Sequence, residues 1–131
     1  VNDLSNSVIF PLGERNESNY FTGKVWVKRL TPVESSCSIS NVTFEPGCRN
    51  NWHIHKGDQI LLVTGGRGYY QEQGKKTREL NSGDVVRISP GVKHWHGASA
   101  DSWFVHISIT LNPGPTEWLE PVTDQEYSNL N

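Results

Sequence analysis

Residues 52–62 read Trp-His-Ile-His-Lys-Gly-Asp-Gln-Ile-Leu-Leu, and their spacing decides how the chain folds. Along a strand successive side chains alternate between faces, so His53 and His55 look one way while Trp52 and Ile54 look the other. Lys56-Gly57-Asp58 is turn chemistry, and the aliphatic run from Ile60 marks a new strand. A returning antiparallel strand that begins near Gln59 lays Gln59, Leu61 and Val63 beside the histidine face. Two imidazoles and an amide oxygen then surround one point. Further on, His94 follows the turn Ser89-Pro90-Gly91, with His96 as its face-mate.

The same pattern continues in both directions. Segments of β-branched and aromatic residues recur every 8–12 positions or so, separated by Gly, Pro, Asn or Asp, as in an antiparallel sandwich or barrel. The predicted strands are Gly23–Leu30, Ser38–Phe44, Trp52–His55, Gln59–Thr64, Gly68–Gln73, Lys76–Leu80, Asp84–Ile88, His94–Gly97 and Trp103–Thr110. Turns fall at Glu45-Pro46-Gly47, Gly65-Gly66, Gln73-Gly74, Ser82-Gly83-Asp84 and Ser89-Pro90-Gly91. Beyond Pro113-Gly114-Pro115 the character changes, and Thr123-Asp124-Gln125-Glu126 predicts a short helix with Thr123 as N-cap and Glu126 reaching back to it.

Composition bounds the function. A chain of 131 residues without internal repeats or linkers fits one domain, residues 1–131. A net charge of −2 with no basic block argues against nucleic acid or an anionic membrane as partner. No apolar run reaches the length of a spanning helix, and the first residues lack a signal-peptide pattern, so a cytoplasmic location is expected. Two cysteines, Cys37 and Cys48, make reduced thiols the economical reading, and a single bridge between them stays open. The five tryptophans read as core or interface packing.

Two histidines at i and i+2 are a weak signal alone. The full arrangement is specific: Gly47, five residues, His53-x-His55, three residues, Gln59, six residues, Gly66, then Gly83, Pro90-Gly91, two residues and His94. It resembles the paired motifs of the cupin superfamily, small jelly-roll barrels that bind a metal through two His and a Glu of the first motif and a His of the second. Three positions depart from that pattern: Gln59 for Glu, Ser89 with Pro90 one place later, and Ala98 for Asn. Further stretches, including "FTG" at 21–23, "VTFEPG" at 42–47, "SPGVKHWHG" at 89–97 and "EWLEPVTDQEY" at 117–127, are similar to small single-domain bacterial cupins, among them the manganese-containing hydroxynitrile lyases.

That resemblance implies an all-β, antiparallel jelly-roll barrel with a short C-terminal helix. It implies a metal held by His53, His55, Gln59 and His94, with Mn(II) the first choice and Fe, Ni, Co or Zn compatible with three imidazoles. An amide in place of a carboxylate leaves a divalent ion its full charge, which favours anionic ligands. His106 lies in "WFVHISIT", where Phe104, His106, Ser108 and Thr110 share one face and Val105, Ile107 and Ile109 the other; either face fits the interior. The resemblance assigns His106 the role of catalytic base and puts His96 in the pocket. Phe21, Phe44, Leu61 and Trp103 read as wall or core, Cys48 as a small buried hydrophobe, and Lys56 and Asp58 as solvated charges.

The expected activity is that of a metal-dependent lyase on a small oxygenated or anionic molecule, with an oxygenase as the enzymatic alternative and a non-catalytic ligand-binding barrel as the alternative from another class. Small cupins commonly pair through sheet edges, so a homodimer or homotetramer is expected.

Overall fold

The computed structural model describes residues 3–130. Its strands, in chain order, are β1 (Glu14–Arg15), β2 (Phe21–Thr22), β3 (Val25–Arg29), β4 (Cys37–Phe44), β5 (Arg49–Asn50), β6 (His53–Ile54), β7 (Gln59–Glu72), β8 (Arg78–Asn81), β9 (Val85–Ile88), β10 (His94–Ala98), β11 (Phe104–Leu111) and β12 (Glu117–Trp118), followed by helix α1 (Asp124–Ser128). Every strand pairing is antiparallel, and the curled sheet runs β1-β3-β4-β11-β7-β10-β5-β2. The all-β jelly-roll expectation holds, and Thr123 and Glu126 form the capping box read from the sequence.

One strand joins the two halves of the barrel. The first part of β7 pairs with β11 and β9, and its second part pairs with β10 and β8. Gly65-Gly66, predicted as a turn between two strands, therefore lies inside one 14-residue strand, just after a bulge whose extra residue is Thr64. Its register against β11 slips between Val105 and His106. The slip has a physical purpose: an extra residue inverts the side-chain phase. Gln59, Leu61 and Val63 point inward before it and Tyr70 after it, so the strand lines the same interior on both sides of the crossing.

The predicted hairpin between the histidine strand and Gln59 does not form. β6 pairs with β10 and β12, with His53 opposite His94, while Gln59 opens β7 in the other half of the barrel, opposite Thr110 and Ile88. Residues 56–58 bridge the halves, and Asp58 is no free charge, because Arg87 holds it at 2.8 Å. The outcome is still convergence, achieved across the barrel interior and not along a hairpin.

The interior divides by chemistry. Val25, Phe44, Leu61, Val63, Tyr70, Leu80, Val86, Ile88, Ala98 and Phe104 form one apolar cluster, with Cys48 inside it. Burial pushes the Cys48 thiol up, and both cysteines are free, so Cys48 behaves as the small hydrophobe its sequence position suggested. A second cluster of Trp52, Tyr69, Trp95, Val122 and Tyr127 lies on the outer face of β10, beneath the C-terminal segment. That segment is fastened by Tyr127, whose hydroxyl donates to the Ala98 carbonyl at 2.5 Å. Buried Arg49 adds to it, donating to the Val122 carbonyl at 3.0 Å and lying 4.4 Å from the Tyr127 ring. Its ion pair with Asp124 matters less, because that carboxylate is 94% exposed. No helix among the described residues is long and apolar enough to cross a membrane.

The close backbone approach just past the bulge generates a prediction. At Gly66 φ is +76°, and a β-carbon there would collide with the Trp103 carbonyl; at Gly74 φ is +82° but nothing lies within 4 Å. Gly74→Ala should cost about 1 kcal/mol, the left-handed strain alone. Gly66→Ala adds a displaced ladder and should cost more than about 3 kcal/mol. Denaturant unfolding of both variants checks this, and equal losses would remove the close approach of Gly66 to the Trp103 carbonyl from its structural role.

Candidate functional site

The antiparallel pairing of β6 with β10 sets His53 against His94, ring centroids 4.2 Å apart. His55, two residues on, lies 4.8 Å from the His53 ring and 5.4 Å from that of His94. Backbone carbonyls set two of the tautomers: His53 donates from Nδ1 to the Asn51 carbonyl at 2.8 Å, and His94 from Nδ1 to the Val92 carbonyl at 2.9 Å. The Nδ1 of His55 lies 3.4 Å from the Thr116 hydroxyl. With Nδ1 engaged, Nε2 carries the free lone pair, as a metal-ligating histidine requires.

Gln59 enters from the opposite half of the barrel. Its Nε2 donates to Ser108 Oγ at 2.9 Å and lies 3.5 Å from Thr110 Oγ1. The Oε1 of Gln59 and the Nε2 atoms of His55 and His94 are buried and have no protein partner. Buried acceptors without donors are costly and rare, and three lone-pair atoms from neighbouring side chains suit a cation. All are in their neutral form: burial lowers His53 well below its usual range and brings His94 down to about 4. Burial also lowers His55, a shift that the nearby Gln59 side chain partly opposes.

Ring nitrogens of His53, His94 and His96 lie within 4.8 Å of one another, a three-imidazole group able to hold a metal ion. This group shares two members with the set implied by the sequence resemblance and has His96 where that set has His55 and Gln59. His96 differs in its surroundings. The Asn50 amide nitrogen lies 3.2 and 3.4 Å from its two ring nitrogens, and the Asn50 oxygen accepts from its backbone N–H at 3.0 Å. His96 is thus held by protein, while His55 and Gln59 present unpartnered atoms.

A cavity of about 120 Å³ opens onto these groups, bounded by Phe21, Val42, Phe44 and Trp118 on its apolar side. The polar face of β11 is the inward one. His106 is fully buried, 5.0 Å from the His96 ring, and neither of its nitrogens has a partner. Burial brings it down to about 4. Trp118 covers the histidines, its ring 4.7 Å from that of His53, and Tyr20 stacks on its other side at 4.6 Å. A larger open groove of about 640 Å³ runs past Trp52, Lys93 and Glu120 outside the barrel. Its Lys93 and Glu120 pair with each other at 2.8 Å and its Glu126 is taken up by the Thr123 cap, whereas the smaller cavity gathers the unpartnered groups.

Asn50, Ser108 and Trp118 escape a reading of sequence spacing. Asn50 and Trp118 sit on two-residue strands too short for alternation to show, although "EPGCRNNWHIH" and "TEWLEP" mark both as strand ends near the motif. Ser108 shares a face with His106, but its role depends on a partner 49 residues away.

Five neutral histidines in one interior make the fold acid-sensitive. Each has a folded-state value below the ordinary 6.5. The unfolded chain therefore binds protons that the folded chain refuses as pH falls below 6.5, and stability is lost in that direction. Metal-free protein should show a falling denaturation midpoint between pH 6.5 and about 5.5, above the range in which carboxylates with an ordinary value of 4.5 titrate appreciably. A flat midpoint across that window would contradict the buried neutral state.

Comparison with known proteins agrees with this architecture. The sequence matches the cupin domain family over residues 40–110. It is 40% identical over 117 residues to an (R)-mandelonitrile lyase of Granulicella tundricola, covering 86% of this chain and 89% of that protein. A match to an acireductone dioxygenase of Bacillus pumilus is weaker, 27% over 78 residues, covering 56% of this chain and 43% of that protein. Among solved structures, a cupin-like protein of Thermotoga maritima superposes with a TM-score of 0.90 at 49% identity, over 94% of this chain and 96% of its own. With a domain match over more than half its residues and a relative aligned along most of its length, the chain belongs to the cupin family.

Proposed function

We propose that His53, His55, Gln59 and His94 hold a divalent transition metal, and that the protein is a lyase for a small cyanohydrin-like substrate. The observation that carries this reading is the convergence of unpartnered buried atoms: Nε2 of His55, Oε1 of Gln59 and both nitrogens of His106 from residues that line one cavity, with Nε2 of His94, whose ring adjoins that of His53. The relationship to a mandelonitrile lyase supplies the substrate class, and Mn(II) is the preferred ion, with Fe, Co, Ni and Zn compatible with the donors. When bound, such an ion acts as a Lewis acid toward developing negative charge.

The protein groups do the rest. A cavity of about 120 Å³ is well below the roughly 300–1,000 Å³ of drug-sized pockets, so it selects a small molecule. The apolar wall holds the organic part of the substrate against the histidines. His106, neutral and unpartnered, accepts the substrate hydroxyl proton; the O–H electron pair becomes the carbonyl π bond, and the C–C bonding pair departs with cyanide. The imidazolium then returns its proton to cyanide, which its burial favours, because the buried ring resists carrying charge. His96, 5.0 Å away, is placed to relay that proton.

Metal-loaded protein incubated with mandelonitrile should release benzaldehyde and cyanide. Absence of product with tight binding of small anions would favour a ligand-binding barrel. Oxygen uptake on a small enolic substrate would favour the dioxygenase reading that the weaker match suggests. His94→Ala should lose the metal by elemental analysis while remaining a folded β protein. His106→Ala should keep it and lose about 10²-fold or more in turnover. Full metal occupancy in His94→Ala would sink the ligand assignment, and undiminished turnover in His106→Ala would remove the base.

The charge of the site can be tested separately. Gln59→Glu substitutes a charged oxygen donor of nearly the same size and lowers the net charge of the loaded centre from +2 to +1. The variant should hold metal at least as well as its parent yet bind azide more weakly. Equal or tighter azide binding at matched metal content would defeat the argument that the neutral amide serves anions.

A further inference from the structure

Burial divides the residues around the cavity into a floor and a mouth. Phe44, His53, Gln59, His96 and His106 are buried and form the floor, while Phe21, Val27, Val42, His55, Ser108 and Trp118 are partly exposed and form the mouth. Trp118 is the largest of the mouth side chains. Its ring lies 4.7 Å from that of His53 on the floor and 4.6 Å from that of Tyr20, which is 42% exposed. The order from the interior to solvent on this side is therefore His53, Trp118, Tyr20.

Neither outer ring sits on a loose backbone. Trp118 is opposite His53 in the ladder between β12 and β6, and beyond it the Leu119 N–H donates to the Trp52 carbonyl at 2.9 Å and the Trp52 N–H to the Glu120 carbonyl at 3.0 Å. The Asn51 side chain adds a bond to the Leu119 carbonyl at 3.2 Å, and its backbone N–H donates to the Tyr20 carbonyl at 2.8 Å. One short stretch, Asn51-Trp52, thus anchors both segments. The Tyr20 and Trp118 rings are parallel to within 2°, so the indole can turn only by giving up that stack. Phe21 packs against Trp118 at 5.9 Å and against Phe44 at 6.2 Å, which joins this wall to the floor.

We propose that Trp118 is the specificity-determining residue of the cavity, a fixed indole wall that sets the size of the molecule able to reach the histidines, with Tyr20 as the positioning residue that locks its orientation. For the substrate class this rests on the lyase reading above. Removing the indole opens the mouth beside His53 and takes away no proton-carrying or proposed metal-ligating group. Removing the Tyr20 ring leaves the indole in place but free to turn.

Two measurements test this on the parent, Trp118→Ala, Trp118→Phe, Tyr20→Ala and Tyr20→Phe, each checked for native circular dichroism. On Mn(II)-loaded protein, the ratio of kcat/KM for the cyanohydrin of naphthaldehyde to that for mandelonitrile should rise by about tenfold or more in Trp118→Ala. It should rise by about threefold in Tyr20→Ala and stay within about twofold of the parent in Tyr20→Phe, which keeps the stack. On metal-free protein, diethyl pyrocarbonate reports access to the same imidazoles without turnover. All five histidines of the chain belong to the interior cluster of rings, so no histidine elsewhere contributes. Beyond the partly exposed His55, carbethoxylation should be about tenfold faster in Trp118→Ala than in the parent, with Trp118→Phe in between. Trp52→Ala, which removes a ring packed with Leu119 outside the barrel, controls for general loosening. An unchanged size ratio in Trp118→Ala overturns the proposal, and so does carbethoxylation that is no faster than in the parent or equally fast in Trp52→Ala. If the parent turns over neither cyanohydrin, the lyase reading fails, while the carbethoxylation rates still decide whether Trp118 is the wall.

Discussion

Two hydrogen bonds from imidazole to backbone, His53 to the Asn51 carbonyl and His94 to the Val92 carbonyl, set the terms for everything else in the interior. Each acceptor lies two residues earlier in the chain, so local strand geometry alone fixes the tautomer and turns Nε2 inward. Burial does the second half, holding both rings neutral. A protonated or rotated ring would offer no lone pair, and the unpartnered atoms of His55 and Gln59 would then have nothing to converge with. In the proposed metal site these local hydrogen bonds would act as the outer shell, with the inner shell drawn from both halves of the barrel.

Bringing donors from two halves together needs a scaffold that cannot shear. β7 supplies it, because a single backbone is hydrogen-bonded to β11 and β9 at one end and to β10 and β8 at the other. The bulge at Thr64 keeps its side chains inward through the crossing, so Gln59 and Tyr70 face the same interior. The outer faces are closed by the chain's own ends. Leu4 and Val8 lie against Gly65 on one side, where Ser7 bonds to Asn41 and Thr43, and the segment around α1 covers the other. Buried Asn41 and Thr43 would otherwise be polar groups on an uncovered sheet.

How much of this was legible depends on the range over which each feature acts. Alternation is a property of neighbouring residues, so the inward sets of His53 with His55, His94 with His96, and Gln59 with Leu61 could be read directly, as could the capping box at Thr123. Pairing is a long-range property and was misread: Lys56-Gly57-Asp58 has the composition of a hairpin turn, but His53 finds His94 across 41 positions and leaves Gln59 to the other half. Gly65-Gly66 has the composition of a turn as well, and only the partner strand shows that the pair continues a strand past a bulge at Thr64. The inward face of β11 was undecidable locally, because both faces are buried, Val105 and Ile107 under the N-terminal segment's sheet face and Phe104 and His106 in the barrel. The strands β1, β2, β5 and β12 have two residues each and no period to detect.

The absence of a carboxylate from the cavity is as informative as the presence of histidines. Among the described residues lining it, the polar groups are amides, a hydroxyl and imidazoles, all neutral. The nearest acid in the ladder is Glu72, opposite His94, and it is engaged by the Tyr70 hydroxyl at 2.9 Å and by Lys75 at 3.1 Å. A lining without negative charge leaves the charge of a bound cation uncompensated, in surroundings of low polarity where Coulomb terms are strongest. In the proposed lyase such a site would stabilise whichever species carries negative charge at the moment of bond cleavage. Under the proposed lyase reading it also accounts for a histidine as the proton acceptor: an ionised carboxylate at position 106 would attract the cation and oppose the departing anion, whereas a neutral imidazole would take a proton without adding negative charge to the pocket.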